Sequence, residues 1–195
     1  MNGKEYKEQL LKALYEPYSN CRACPLGSLG RTTVVFGEGN ADADIVFIGE
    51  GPGKDEDTQG RPFVGRSGQL LNRALAHVGI QRADVYITNI VKCRPPANRA
   101  PTPLEATTCM SLLLYNQIKI IRPQIICTLG SIALNNLLGK PLPITKSRGT
   151  VIEWEGFKIL PTYHPAYILR NQSASAIWLE DFVQLKTLAS KIHST

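Results

Sequence analysis

The residues best suited to chemistry fall in three polar stretches and one set of cysteines. The first stretch is Gly49-Glu50-Gly51-Pro52-Gly53-Lys54-Asp55-Glu56-Asp57. Its glycines let backbone N–H groups approach a ligand closely, and its carboxylates can orient a water or face a developing positive charge. It is not a phosphate loop, because Gly53-Lys54 is followed by Asp55 rather than Ser or Thr and Ile48 holds the place of the earlier glycine. A dinucleotide fingerprint fails too, since Lys54 replaces its last glycine. The plainer alternative is a turn rich in solvated charge. Just downstream, Gly60-Arg61-Pro62-Phe63-Val64-Gly65 offers an aromatic ring in a rigid basic loop. Phe63 is either core, the common fate of phenylalanine, or a platform for stacking on a base.

The second stretch is Thr88-Asn89-Ile90-Val91-Lys92-Cys93-Arg94-Pro95-Pro96. Asn89 stands where an apolar run ends, and its amide carries both a donor and an acceptor. It either reads a polar ring edge that presents one of each, or caps a turn. The third is Tyr163-His164-Pro165-Ala166-Tyr167-Ile168-Leu169-Arg170-Asn171. Of the three histidines, only His164 directly follows a predicted buried strand; His77 and His193 read as structural or exposed. Tyr167-Ile168-Leu169 followed by Arg170 is a wedge for an opened duplex or the first turn of a packed helix.

Cys21, Cys24, Cys93, Cys109 and Cys127 make five cysteines. In a reducing compartment a spaced set reads as metal or redox chemistry before disulfides, and an odd count argues against a complete disulfide framework. Cys21-x-x-Cys24 with Cys93 and Cys109 can close a zinc site or an iron–sulfur cluster. A second short Cys-x-x-Cys, common in zinc sites, is absent, and Cys24-Pro25 resembles the Cys-Pro of some cluster ligands. Spacing therefore favours 4Fe–4S mildly and leaves zinc open. Cys127, inside a predicted buried strand, reads as an inert core residue.

These stretches must be positioned by elements. Short apolar runs rich in β-branched residues predict strands at Thr33–Phe36, Asp44–Ile48, Val85–Asn89, Gln124–Leu129 and Phe157–Leu160. Helical spacing predicts helices over Glu5–Tyr15, Gly68–Val78, Pro103–Ile121, Ser131–Leu138 and Ala176–Ile192. Ser67 and Ser131 are the expected N-caps of two of them, with Gly79 and Gly139 as stops. The alternation predicts an α/β fold, a three-layer α/β/α sandwich around a central, mostly parallel sheet of four to five strands. The length of 195 residues suits one domain, 1–195. In such folds ligands bind beyond the carboxyl ends of the strands. Three loops lie there: Gly49–Asp57, the segment from Asn89 onward, and Tyr163–Arg170.

Net charge +6 and a pI near 9.1 suit a polyanionic partner, though the excess is modest. No apolar run reaches the roughly 20 residues that cross a bilayer. The first residues lack the order of a signal peptide, since Lys4, Glu5, Lys7 and Glu8 interrupt it with mixed charge. A cytoplasmic location, with no membrane association, is the expectation.

Taken together, GEGPGKDED, GRPFVGRSGQLLNRAL, TNIVKCRPPANRAPTPLE and HPAYILRN, in this order and with this cysteine pattern, closely resemble the type 4 uracil-DNA glycosylases over roughly Cys21 to Asp181. The resemblance implies removal of uracil from DNA, a hydrolysis leaving free uracil and an abasic site, in base excision repair. It implies that Cys21, Cys24, Cys93 and Cys109 ligate a structural 4Fe–4S cluster. Phe63 would stack on the extruded uracil. Asn89 would read its O4 and N3–H while mismatching cytosine. Glu50 and Gly51 would line the pocket, and His164 would donate to uracil O2. Glu50 is the first candidate for facing the sugar cation and orienting water, with Glu56 second. Arg94, Arg99, Tyr167, Leu169 and Arg170 would face the DNA.

The resemblance also marks a departure. Relatives that bond covalently to abasic DNA carry an inserted basic loop ending in a reactive histidine. Here Arg94-Pro95-Pro96 runs almost directly into Asn98-Arg99-Ala100-Pro101, without histidine, so turnover is expected. No lysine is clearly placed for Schiff-base chemistry, so strand cleavage is not. A monomer is expected, with replication or repair proteins as possible partners. Two rivals stand: a non-catalytic iron–sulfur DNA-binding module that senses damage or accompanies a polymerase, and a zinc-bound nucleotide-processing enzyme.

Overall fold

The computed structural model describes residues 2–192, so His193 lies outside the described residues. The chain opens with α1 (Gly3–Tyr15), started by a capping box in which Asn2 and Glu5 satisfy each other's backbone N–H groups. Then come β1 (Glu38–Gly39), β2 (Ile45–Gly49), α2 (Lys54–Gln59), α3 (Arg66–His77) and β3 (Tyr86–Asn89). A long broken helix follows: α4 (Pro103–Cys109), a π-helical turn (Met110–Leu114) and α5 (Tyr115–Ile121). The second half is β4 (Ile125–Leu129), α6 (Ser131–Leu138), α7 (Ile144–Ser147), β5 (Ile152–Trp154), β6 (Phe157–Thr162), α8 (Pro165–Arg170) and α9 (Ser175–Ile192).

The sheet has the order β1-β3-β2-β4-β6-β5. Its four inner strands run parallel, and the two edges are antiparallel. Every residue of β2, β3 and β4 is buried, as expected for strands covered on both faces. One face carries a core with Leu11 of α1, Leu113, Ile118 of α5 and Leu134 of α6. The other carries Leu71 and Leu75 of α3 with Trp178 and Phe182 of α9. This is the three-layer sandwich. Six strands replace the expected four to five, because β1 and β5 are short edges of two and three residues that apolar runs do not announce.

Several local expectations are corrected. Thr33–Phe36 is buried in part but pairs with no strand. Its N–H groups go elsewhere: Thr33, like Thr32 before it, donates to the Asp57 carboxylate, and Val35 donates to the Lys92 carbonyl at 2.8 Å. The edge position belongs to β1, where Gly39 lies so close to β3 that a Cβ would stand 2.0 Å from the Val85 carbonyl oxygen. Ser67 and Ser131 cap nothing; Gly65 and Gly130 occupy those N-cap positions. The acidic stretch expected as loop is helical in α2, where Asp55, Glu56 and Asp57 sit in the first turn and complement the positive helix end. Tyr163–Arg170 is likewise mostly α8, with Pro165 in its first turn and His164 as N-cap.

Helix α4 begins with Thr102 and Glu105 in a second capping box. Glu105 is 1% exposed and also receives both Arg99 guanidinium nitrogens, at 2.7 and 2.8 Å. The guanidinium, more than the cap, holds its carboxyl down to about 2. A depressed native pKa stabilises the fold fully above the ordinary carboxylate range, and that contribution is lost as pH falls toward about 2. Glu105→Ala should cost about 1–3 kcal/mol in urea unfolding at pH 7, the scale of a lost cap plus a half-exposed ion pair. Glu105→Gln should flatten the acid limb of the stability profile.

Candidate active site

The carboxyl ends of the parallel strands meet at a cleft of about 610 Å³. Strand β2 delivers Glu50 and Gly51, β3 ends in Asn89, β4 runs into Gly130 and Ser131, and β6 leads to Tyr163 and His164. This is where parallel α/β sheets bind ligands. Glu50, Gly51, Glu56, Phe63, Asn89 and His164 all line it.

Asn89 is 1% exposed, and its Oδ1 has no hydrogen-bond partner. A buried amide oxygen left unpaired is costly, so it marks a place prepared for a donor on a ligand. Its backbone is held firmly. Ile90 N–H donates to the Gly49 carbonyl at 2.9 Å, and the buried Lys92 Nζ donates to the Asn89 carbonyl at 2.7 Å and to Thr88 Oγ1.

Phe63 is buried and adopts φ 51°, a left-handed backbone that a non-glycine residue rarely takes. Its ring centroid lies 5.8 Å from that of His164. Gly68 lies against its carbonyl, where a Cβ would sit 1.8 Å from the oxygen. Glu56 Oε1 accepts from Val64 N–H at 2.9 Å and Gly65 N–H at 2.8 Å. That carboxylate thus lines the cleft and also ties down the turn after Phe63. Asp57, 3% exposed, holds the loop at Thr32 and Thr33 instead.

His164 Nδ1 accepts from Ala166 N–H at 3.1 Å. The proton of a neutral ring therefore belongs on Nε2. Burial, helped by the Arg170 charge, holds the imidazole down to about 4, so it is neutral at pH 7 and acts as a donor from Nε2. Burial pushes Glu50 the opposite way, raising its carboxyl above the ordinary value. The cleft thus offers a neutral donor, a carboxylate, an amide edge and an aromatic face, a set that can grip a flat polar ring and stabilise charge developing on it.

The outer residues divide. Tyr167, Arg170 and Arg99 line the cleft; Arg94 and Leu169 do not. Arg99 is engaged by Glu105, and Arg94 Nε donates to Asn98 Oδ1 at 2.8 Å. Tyr167 is 37% exposed and its ring packs tilted against that of Tyr163, with centroids 4.8 Å apart. Sequence reasoning missed Gly130, Ser131, Ile144 and Thr145, which also form the wall. The Leu129–Gly130 junction at the end of a predicted strand was the available signal. Gly130 has φ 89°, and a Cβ there would lie 2.9 Å from His164 Cβ.

Cys21, Cys24, Cys93 and Cys109 line a second, smaller cavity with apolar neighbours Leu26, Val34 and Val91. Among the described residues, no group of three or more His, Cys, Asp or Glu side chains is arranged to hold a metal ion. Burial pushes the Cys93 thiol up to about 12 and the Cys109 thiol up to about 11, with the other cysteines adding to the rise. Thiols so placed ionise only beside strong positive charge, and Lys92 N–H already donates to Cys109 Sγ at 3.3 Å. All four cysteines nonetheless line this one apolar wall, and thiols are the donor chemistry that a thiolate-ligated group requires. Cys127 is buried apart from them in β4.

Comparison with known proteins agrees with this geometry. The uracil DNA glycosylase superfamily matches residues 36–185. A type-4 uracil-DNA glycosylase of Thermotoga maritima is 52% identical over 95% of this chain and 97% of its own. This chain is a type-4 member of the uracil DNA glycosylase superfamily. A type-4 relative in Saccharolobus solfataricus is 44% identical over 93% of this chain and 88% of its own. A DNA polymerase of Bacillus phage SP01 is 37% identical over 78% of this chain, but over only 16% of that protein. For this type-4 chain, the neutral state of His164 has a measurable consequence. His164 should contribute no inflection near the free-histidine pKa of 6.5 to the single-turnover pH profile of the wild type, because native His164 protonates only near about 4. The same burial of neutral imidazole stabilises the fold fully above about pH 6.5 and is lost as pH falls toward about 4. His164→Gln should remove that dependence.

Proposed function

We propose that this chain removes uracil from DNA by hydrolysing the N-glycosidic bond, leaving free uracil and an abasic site for base excision repair. The observation that carries the reading is the buried, unpartnered Asn89 Oδ1 beside Phe63 and a neutral His164. The glycosidic carbon is inaccessible in the stack, so the nucleotide leaves the helix and enters the cleft. Phe63 stacks on the base, and Asn89 matches O4 and N3–H of uracil. Cytosine presents an amine and an unprotonated nitrogen at those positions, and the amide is left with like facing like.

Bond cleavage puts negative charge on uracil and positive charge on the sugar. Nε2–H of His164 donates to O2 as that charge grows, without having to lose a proton first. Glu50, beside Gly51 at the cleft wall, faces the sugar cation and orients the attacking water. Glu56 is the second candidate, although its Oε1 is already committed to Val64 and Gly65. Tyr167, Leu169 and Arg170, with Arg94 and Arg99, contact the opened duplex. Turnover without covalent trapping fits the histidine-free segment from Arg94 to Pro101, and no strand cleavage is expected because no lysine is placed for Schiff-base chemistry.

Cys21, Cys24, Cys93 and Cys109 would hold a 4Fe–4S cluster, which when bound supplies a structural cross-link between the N-terminal segment and the Cys93–Cys109 loop. Zinc is the alternative that the same four cysteines leave open. A single ion needs four sulfurs at about 2.3 Å from one centre, whereas a cluster gives each thiolate its own iron. We further propose one domain, acting as a monomer in the cytoplasm, with replication or repair proteins as its companions. No helix among the described residues is long and apolar enough to cross a membrane.

A uracil-containing oligonucleotide, treated with the protein and then with alkali, should break at uracil and nowhere else. Breakage no greater than in a uracil-free control would refute the reading. Uracil-DNA binding without product would instead favour a non-catalytic module, the reading to which the phage polymerase match lends weight. Asn89→Ala should slow cleavage about 10²–10³-fold, the scale of one lost transition-state contact, with the fold intact by circular dichroism. The purified protein should be brown and carry iron rather than zinc. Cys109→Ser should lose iron and melt at lower temperature.

A further inference from the structure

Phe63 is held from outside the cleft by a charged network that the reaction itself does not use. Its left-handed backbone persists only where neighbours enforce it. From inside, Glu56 fixes the residues after it. From outside, Arg82 Nη2 donates at 2.7 Å to the Pro62 carbonyl, the peptide group that enters Phe63. The same guanidinium donates to Asn72 Oδ1 of α3 at 2.9 Å and to Glu38 Oε1 at 2.8 Å. Glu38 also accepts from Arg61, at 2.7 and 3.2 Å, so one carboxylate holds two arginines around the Arg61–Pro62 segment. Glu38 itself lies on β1, opposite Ile87 of β3, the strand that ends in Asn89. The network therefore ties the aromatic platform to the strand that carries the amide.

We propose that Arg82, oriented by Glu38, is a positioning residue for base recognition: it fixes the Pro62 carbonyl and thereby sets the plane of Phe63 against the extruded base. This rests on the placement of uracil against Phe63 given above. Arg82 is three-quarters covered, lies outside the cleft lining and touches no reacting group. A planar guanidinium with donors at fixed angles can address Pro62, Asn72 and Glu38 together, which a lysine cannot.

The test is single-turnover cleavage of a uracil oligonucleotide, with affinity measured on the same strand carrying an uncleavable 2′-fluoro-uridine. Arg82→Ala should slow cleavage about 10- to 100-fold, as expected for a small misplacement of a recognition group, with affinity and melting temperature near wild type. The double variant Phe63→Ala/Arg82→Ala should be no slower than Phe63→Ala, because both changes remove one function. Arg82→Lys should recover only part of the rate. If Arg82→Ala does not fold, Glu38→Gln, alone and with Phe63→Ala, carries the same comparison. An unchanged rate in an active protein overturns the inference while leaving uracil removal intact. Losses that multiply in the double variant, or that follow melting temperature, also overturn it and make the network merely structural. A wild type that releases no uracil overturns the functional reading and this inference with it.

Discussion

The parallel pairing of β2 with β3 sets Gly49 opposite Asn89, and the cleft is built around that juxtaposition. A Cβ on Gly49 would stand 2.5 Å from Asn89 Oδ1 and 2.5 Å from Phe63 Cζ. Only a residue without a side chain lets the amide and the ring meet there. Glu50 follows in the next position, so the carboxylate, the amide and the aromatic face converge at one point of the sheet edge. Glu56 and Gly68 then leave Phe63 little freedom around its unusual backbone.

Burial does the rest of the electrostatic tuning. It raises the Glu50 carboxyl and lowers the His164 imidazole, disfavouring charge on both. On the proposed reading, the histidine that meets uracil carries no charge of its own, so its hydrogen bond strengthens as negative charge develops on the base. A neutral histidine fixed by the Ala166 N–H is ready as a donor and needs no reorganisation when the anion forms.

The second cavity is joined to the first through Lys92. Its backbone N–H donates to Cys109 Sγ, while its buried side-chain Nζ donates to the Asn89 carbonyl. The cysteine-lined end and the base-reading end are thus connected by the two sides of a single residue. The same helix that ends in Cys109 starts at the Arg99–Glu105 pair, so an arginine assigned to DNA contact is also part of the frame.

The sequence by itself determined the four inner strands, the longer helices α1, α3, α4–α5, α6 and α9, and the residue types at the strand ends. Apolar, β-branched runs report burial, and that signal is local. It marked Glu50, Phe63, Asn89, His164 and the four cysteines as an unusual set. What only the tertiary structure decided is which group meets which. Thr33–Phe36 has the composition of a strand, yet Asp57, 25 positions from Thr32, takes the N–H groups a ladder would use. Glu38 reveals its role only when Arg82, 44 positions away, arrives beside it. Glu56, read in the sequence as a candidate for orienting water, and Arg99, read as a DNA contact, each hold a partner within the fold, which no short segment announces. Hydrogen bonds and ion pairs join residues far apart in the chain, so the pattern of any short segment carries the tendency to be buried but not the identity of its partner.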